Sequence, residues 1–257
     1  MTEPKLYLFI DTNSFLSFYA YTNDDVEELR KLSSLIKTGQ LTLFLTEQIK
    51  DEFYRNRETR LKESLREFGK GTVTDSVPRF MDKYLSIKNY RQSLQELLKA
   101  KDGAITQAKR EAEEGSLAAD ILFRELMEAA GVIEITEKIY EAAKRRMELG
   151  NPPGKQGSLG DRINWEILLD KSTNGIDLHI ISRGGDFRSS LLVAANSFLI
   201  DEWRSKVNGK LMLHDQLKPL LKEHFPQIKL ANRRGTKSSH RTAYDERQFR
   251  WNTLRYQ

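Results

Sequence analysis

Acidic residues follow several apolar segments of this sequence, and the first of them is Asp11. It comes directly after Leu6–Ile10, five consecutive apolar or aromatic residues that predict a strand buried on both faces of a parallel sheet. A carboxylate at the carboxyl end of such a strand lies where open α/β sheets bind ligands. The alternative role is structural, in which Asp11 turns the chain or caps the following helix. The other acidic residues must decide between these two roles.

Helical phase distinguishes two neighbouring acids, Asp51 and Glu52. They fall in a predicted helix that follows a second short strand, Leu41–Leu45. Glu52 shares the apolar face with Phe53, whereas Asp51 is turned about 100° away and can pair with Arg55. A buried carboxylate costs several kcal/mol unless it is paired or bound to a metal. Glu52 is therefore a candidate ligand, and an ion pair at the edge of the core is the alternative.

Two further acids, Asp161 and Asp186, occur near predicted element boundaries in the second half of the chain. Asp161 is the second residue of a helix that begins at Gly160, where a structural role as a helix cap would contribute about 1 kcal/mol. Asp186 follows a predicted strand, Ile176–Ser182. Carboxylates that converge at one edge of a sheet repel each other unless a cation neutralises them.

The composition narrows the chemistry of such a site. The chain has no cysteine, which excludes disulfides, a thiol nucleophile and cysteine-based zinc sites, and its four scattered histidines show no metal-ligand spacing. Oxygen ligands alone favour Mg²⁺ or Mn²⁺. The net charge of +5 permits a polyanionic partner. No apolar run approaches the roughly 20 residues that span a bilayer, and no signal peptide is evident, so we expect a soluble, cytoplasmic protein without a membrane partner.

The order of predicted elements indicates an α/β domain over residues 1–230, with a helical insertion at about residues 60–131. We expect Gly69–Pro78 to lead into the insertion, and Asp120 within it to flank a solvent-facing turn. Residues 231–257 form a basic tail with interspersed aromatic residues, a composition that suits phosphate contact and base stacking. A solvated tail, or one that docks on a partner chain, fits the same composition.

These motifs together resemble the PIN domain family over residues 5–60 and 132–225. The resemblance lies in the strand that ends in Asp11-Thr12-Asn13, the helix carrying Glu52, and the helix with Asp161 at its N-terminus. The preceding basic loop, in the arrangement NPPG…GD, resembles the bacterial PIN-like branch of the family. The resemblance implies a three-layer sandwich around a central, mainly parallel sheet, and a metal-dependent nuclease.

The resemblance also implies roles for particular residues. Metal binding and catalysis fall to four acids, Asp11, Glu52, Asp161 and Asp186. Supporting positions are Thr12, Asn13 and Ser182, and the phosphate-steering positions are Lys155 and Arg183. The chain departs from the family at Gly184, where the usual strand-end aspartate is missing. Asp186 matches a second, less constant acidic position of the family. Either Asp186 takes over the ligand role, or the site holds one metal weakly.

The implied activity is hydrolysis of RNA by an endoribonuclease with Mg²⁺ or Mn²⁺ as cofactor. Toxin and antiphage-defence roles are common in this branch, and a protein inhibitor or a second copy of the chain are partners left open by the sequence. One alternative is a structure-specific DNA nuclease. Another is a degenerate PIN domain that binds RNA or protein without cleavage, which the missing aspartate at Gly184 keeps open.

Overall fold

A single parallel sheet organises the protein, whose computed structural model describes residues 5–19, 25–70 and 76–227. Its strands are β1 (Leu6–Ile10), β2 (Leu41–Phe44), β3 (Leu178–Ile181) and β4 (Leu211–His214). They lie in the order β2–β1–β3–β4, and each neighbouring pair is parallel. The two central strands are almost fully buried, as their apolar runs predict. The predicted α/β class is therefore confirmed.

Helices cover both faces of this sheet. Those in the described ranges are α1 (Thr12–Leu16), α2 (Asp25–Lys37), α3 (Glu47–Lys70), α4 (Leu85–Glu113), α5 (Ala118–Ala130), α6 (Glu137–Glu148), α7 (Gly160–Lys171), α8 (Ser197–Val207) and α9 (Leu217–His224). Helix α2 packs against α5 and α9, whereas α7 packs against α6 and α8. The connections β1–α2–β2 and β3–α8–β4 run in opposite directions across the sheet. Right-handed crossovers therefore place the two groups on opposite faces, which gives three layers.

The sheet has a topological switch point between β1 and β3. The chain leaves β1 toward β2 on one side, while β3 pairs with β1 on the other side. In such sheets a crevice opens at the carboxyl ends of the two strands, and ligands bind there. Asp11 and Ser182, the residues that follow β1 and β3, are adjacent: the Asp11 amide donates to the carbonyl of Ile181 at 2.9 Å.

Helix α3 begins directly after a capping threonine and extends well beyond the residues that pack in the core. The Thr46 hydroxyl accepts a hydrogen bond from the Ile49 amide at 3.1 Å and donates to Asn164 Oδ1 at 2.6 Å. This buried threonine therefore caps α3 and joins it to α7. The helix continues without interruption to Lys70.

Two helices in the segment predicted as an insertion, residues 60–131, have different surroundings. Helix α5 contributes Leu122, Phe123 and Leu126 to the main core, and Phe123 stacks on Phe53 of α3 with ring centroids 3.8 Å apart. Helix α4 is mostly exposed, and Leu94 is its one buried residue. The domain boundaries themselves stay a prediction.

Two predicted segments lie beyond what the structure describes. They are the basic tail, residues 231–257, and residues 71–75 within Gly69–Pro78. Within the described ranges, no helix has both the length and the apolar character needed to cross a membrane.

Candidate active site

Asp11 faces the switch point rather than its own helix. It is buried, with 7% of its surface exposed, and it occupies the N-cap position of α1 without making a side-chain capping bond. Its Oδ2 atom instead accepts a hydrogen bond from the Ser182 hydroxyl at 3.0 Å. Ser182 is itself 1% exposed. The Asp11 carboxylate is thus fixed between the ends of β1 and β3, and the capping role is not the one it takes.

Glu52 reaches the same place from α3. Its Oε2 atom accepts a hydrogen bond from the hydroxyl of Thr12, a fully buried residue next to Asp11, at 3.2 Å. Asp51 forms an ion pair with Lys50 at 3.6 Å, so its partner is not the predicted Arg55. The helical phase nevertheless separates the two acids as the sequence predicts, because Glu52 alone of the two contacts the residues at the end of β1.

Asp161 lies in the first turn of α7, whose N-cap residue is Leu159. The Ser158 hydroxyl donates to its Oδ2 atom at 3.3 Å. Burial raises the pKa of Asp161 to about 7, and the negative charges of Asp186, Asp11 and Glu52 add to this shift. A carboxylate whose pKa is raised by the charges of three others lies in one site with them.

Asp186 and Gly184 lie in the loop that follows β3. A Cβ atom added at Gly184 would lie 3.4 Å from Asp186 Oδ2, 3.6 Å from the Ser182 hydroxyl and 3.8 Å from Asp11 Oδ2. Gly184 therefore borders the site, as the family pattern implies. The Asp186 carboxylate already approaches the space that a side chain at position 184 would enter.

The electrostatics of Asp11 agree with a shared site. Burial raises its pKa, the Ser182 hydrogen bond partly offsets that effect, and the charges of Glu52 and Asp186 raise it further. Arg162 is a nearby buried cation, but its guanidinium donates to the backbone carbonyls of residues 151, 155 and 158 instead of to a carboxylate. Among the described residues, no lysine or arginine forms an ion pair with any of the four acids.

This donor set fits a divalent cation. Within the described ranges, no three histidine or acidic side chains are already arranged as a metal cage. The four acids nevertheless offer oxygen atoms only and border the switch point, and negative charges among them add to the effect of burial in raising the pKa values of Asp11 and Asp161. A cation bound among them would relieve that repulsion and lower the raised pKa values of Asp11 and Asp161.

Three residues predicted to support the site lie outside its hydrogen-bond network. Asn13 is exposed in the first turn of α1, and the side chain of Lys155 is exposed in the loop before α7. Arg183 is also exposed, and its Nε atom donates to the carbonyl of Asp215 at 3.3 Å. Their roles in orienting water or phosphate stay predictions.

Sequence reasoning missed two residues that shape the surroundings of Asp161. Arg162 is 2% exposed and holds the loop of residues 151–158, and Ser158 bonds Asp161 directly. The one sequence signal for Arg162 is its position beside Asp161 in a helix whose other inward residues are mostly apolar. Nothing in the sequence distinguishes Ser158 from the other polar residues of the loop.

The prediction for Asp120 was wrong. Asp120 is 3% exposed and does not flank a solvent-facing turn. It accepts hydrogen bonds from the Tyr19 hydroxyl and from Arg57, whose Nε and terminal nitrogen lie 2.6 and 2.5 Å from the carboxylate oxygens. Arg57 also donates to the carbonyl of Ala112 at 2.7 Å. This cluster joins α3 and α5 to the end of α4.

Three histidines that look unrelated in the sequence come together beside β4. His179 Nδ1 and His214 Nε2 are 3.0 Å apart, and the rings of His179 and His224 are 5.0 Å apart at a steep angle. Burial, together with the charges of the other two rings, lowers the pKa of His179 to about 4. His179 is therefore uncharged near neutral pH.

Comparison with known proteins identifies the family of this chain. A family model described as the PIN domain matches residues 8–187, a span that begins within β1 and includes β2, β3 and all four acids. The chain therefore belongs to the PIN domain family, whose members are generally metal-dependent nucleases that use divalent ions. No curated protein and no solved structure matched the chain.

Proposed function

We propose that this PIN domain is an endoribonuclease that hydrolyses phosphodiester bonds of RNA with Mg²⁺ or Mn²⁺. One observation carries the proposal: four acids from separate parts of the chain border the switch point, where burial raises the pKa of Asp161 to about 7 and the charges of the other three acids add to this shift. Membership of the PIN domain family supports the nuclease class. The choice of RNA rests on the family resemblance of the motifs and on the basic character of the chain.

The chain's own residues would hold and orient the metal. The ligands are Asp11, Glu52, Asp161 and Asp186. Three hydroxyl groups fix three of these carboxylates, since Ser182, Thr12 and Ser158 each donate one hydrogen bond. When bound, a divalent ion supplies activation of a water molecule and charge stabilisation on the phosphate and the leaving oxygen.

Two exposed cations flank the site and suit the anionic substrate. Lys155 lies in the loop that leads to Asp161, and Arg183 follows Ser182 directly. Both side chains face solvent, where long cationic side chains attract phosphate without prior desolvation. We propose that they steer the RNA backbone, and that Asn13 orients the attacking water.

The decisive experiment is incubation of the purified full chain with total RNA and with duplex DNA, each with Mg²⁺, with Mn²⁺ or with EDTA. We expect internal cleavage of RNA that requires metal and disappears in the Asp11→Asn variant. Cleavage of DNA with intact RNA would instead support the structure-specific DNA nuclease. Binding of RNA without cleavage would support the degenerate PIN domain, an alternative favoured by the missing carboxylate at Gly184.

A toxin or antiphage-defence role is the cellular setting that we propose for this activity. Induced expression of the wild-type chain should then arrest bacterial growth, whereas expression of Asp11→Asn to the same level should not. Co-expression of a protein inhibitor from the organism that encodes this chain should relieve the arrest. Equal growth with both forms would contradict the toxin role and leave the nuclease assignment to the cleavage assay.

A further inference from the structure

Helix α3 carries a row of exposed cations on the same side as the candidate ligand Glu52. Arg55, Lys62 and Arg66 follow Glu52 at steps of three, seven and four residues, which place the four side chains on one side of an α-helix. The three cationic side chains are exposed, whereas Glu52 is half-buried. We call Arg55, Lys62 and Arg66 the basic stripe. Because an α-helix rises by 1.5 Å per residue, the basic stripe reaches about 21 Å from Glu52 along α3.

The acids of α3 do not neutralise the basic stripe. Three of them pair with other cations of the same helix: Asp51 with Lys50, Glu63 with Arg60, and Glu67 with Lys70. Among the described residues, no carboxylate forms an ion pair with a member of the basic stripe. The stripe therefore presents positive charge to solvent along the part of α3 that extends beyond the core.

Helix α4 places a further cation beside the basic stripe. Hydrogen bonds of 2.7 Å from Arg57 to a carbonyl of α4, and from Lys101 to a carbonyl of α3, hold the two helices side by side. In this register Lys109 of α4 lies across from the turn of α3 that leads to Lys62. Lys109, Lys62 and Arg66 line the same cavity of about 540 Å³ between the helices. Positive charge thus comes from both helices at this point.

A linear array of exposed cations suits a chain of phosphates better than a single anion. Two acids, Glu58 and Glu113, also line the cavity between the helices, so its interior is not a simple anion pocket. The basic stripe on the outer side of α3 instead offers separate point charges on long side chains, which contact phosphates without reading base sequence. At 3.4 Å per stacked nucleotide, about 21 Å corresponds to roughly six nucleotides of one strand.

We propose that the basic stripe, with Lys109 beside it, binds the backbone of a single-stranded RNA whose scissile phosphate lies among the four acids. The ligand is the substrate of the proposed function, on which this inference rests. The charges complement each other along the path, because the acids of the site repel a phosphate in the absence of metal and the basic stripe attracts the phosphates that follow it. The extension of α3 beyond the core thereby gains a role in holding the substrate.

The first test measures binding of the full chain to a fluorescent single-stranded RNA of about 16 nucleotides, in EDTA to prevent cleavage. Fluorescence anisotropy at several salt concentrations gives the slope of log affinity against log salt, to which each phosphate contact adds about 0.7. We expect Lys62→Gln/Arg66→Gln to reduce this slope by about 1.4 and to weaken binding at least tenfold at about 0.1 M salt. Adding Lys109→Gln should reduce the slope by about 0.7 more.

Lys37→Gln/Lys210→Gln is the matched control, because it removes the same charge from two exposed side chains. Lys37 ends α2, which leads to β2, and Lys210 directly precedes β4, so both lie at the amino-terminal edge of the sheet, opposite the site. The affinity and the salt slope of this variant should equal those of the wild type. Circular dichroism establishes that all variants are folded.

The second test measures cleavage of the same RNA with Mn²⁺. We expect Lys62→Gln/Arg66→Gln to raise KM at least about tenfold with kcat nearly unchanged, because these contacts bind substrate and transition state equally. An unchanged salt slope in this variant, an equal loss in the control, or a dependence on the basic stripe seen only with duplex DNA would each overturn the proposal. RNA that stays uncleaved but binds with the expected loss of slope would overturn the nuclease assignment alone.

Discussion

Asp120 and Asp11 are both buried aspartates, with 3% and 7% of their surfaces exposed, but their charges are compensated by different means. Asp120 has a fixed cation: Arg57 contacts both of its carboxylate oxygens, and the Tyr19 hydroxyl adds a third bond. The hydrogen bond to Asp120 in turn raises the pKa of Arg57, and burial together with Asp120 raises the pKa of Tyr19. Asp11 has a hydroxyl partner in Ser182 and two carboxylates as its electrostatic neighbours.

The difference separates a structural acid from a functional one. An arginine that bonds both oxygens satisfies a carboxylate permanently, so the cluster around Asp120 serves to join helices. Arg146 does the same between Glu166 and Glu202, at 2.6 Å from each. Among the described residues, the acids at the switch point have no such partner. Their mutual repulsion therefore favours the binding of a cation from solution.

The largest expected effect follows from removing the charge of Asp11. Asp11→Asn should abolish Mn²⁺ binding in calorimetry and lower cleavage at least about 1,000-fold, roughly 4 kcal/mol of transition-state stabilisation. Because the pKa of Asp11 is raised in the folded protein, the metal-free protein loses stability as pH rises from the ordinary carboxyl range through the raised value. The asparagine removes that penalty, so the metal-free variant should melt at or above the wild-type temperature near neutral pH.

Unchanged Mn²⁺ affinity in Asp11→Asn would remove Asp11 from the ligand set. A lower melting temperature of the metal-free variant near neutral pH would show that Asp11 is compensated like Asp120. Circular dichroism provides the control for folding in both measurements.

Helical phase predicts that substitution of Glu52 reduces cleavage nearly as much as substitution of Asp11, and that substitution of Asp51 has almost no effect. Glu52→Gln removes the charge that Thr12 holds at the site, so cleavage and Mn²⁺ affinity should fall almost as far as in Asp11→Asn. Asp51→Asn is the matched control, because Asp51 pairs with Lys50 on the other side of the helix and its loss should leave both quantities nearly unchanged. Equal losses in the two variants would contradict the separation of roles.

At Asp120, whose charge is compensated by Arg57, we expect an effect on stability instead of catalysis. Arg57→Gln should lower the free energy of unfolding by about 3 kcal/mol, because it leaves Asp120 buried without its cation. Arg60→Gln, one turn along α3 in an exposed pair with Glu63, should change little. Urea denaturation measures both values, and Mn²⁺ affinity should be unaffected in either variant. Loss of metal affinity in Arg57→Gln would contradict the distinction between the cluster around Asp120 and the acids at the switch point.

The sequence indicated the positions of Asp11 and Glu52 better than it indicated the partners of Asp120, for a physical reason. Asp11 follows a buried strand, and Glu52 lies on an apolar helical face, so short-range periodicity is enough to place both acids. The partners of Asp120 are 63 and 101 residues away, and periodicity within one helix contains no information about them. The histidine cluster was missed for the same reason, since His179 and His214 are 35 residues apart and meet only when β3 and β4 pair.

A smaller loss of turnover is expected from substitution of Asp186, which lies close to Gly184, where the chain departs from the family pattern. If Asp186 has replaced the strand-end ligand, Asp186→Asn should lower turnover by about 100-fold, or roughly 2.7 kcal/mol of transition-state stabilisation. The proximity of its carboxylate to the space beside Gly184 supports this expectation. Steady-state cleavage assays at saturating Mn²⁺ measure the effect. A change of less than a few fold would assign Asp186 to loop capping.

The smallest effect is expected from Gly184→Asp, which restores the family pattern. The added Cβ would lie 3.4 Å from Asp186 Oδ2 and 3.8 Å from Asp11 Oδ2, so the new carboxylate would enter a space bordered by two existing ones. Because the added charge repels both, we expect little gain in Mn²⁺ affinity or turnover while Asp186 is present. In the Asp186→Asn background the repulsion is smaller, so the same substitution should recover part of the lost turnover. A wild type that is inactive on RNA, combined with an active Gly184→Asp single variant, would show instead that the missing strand-end carboxylate had left the site degenerate.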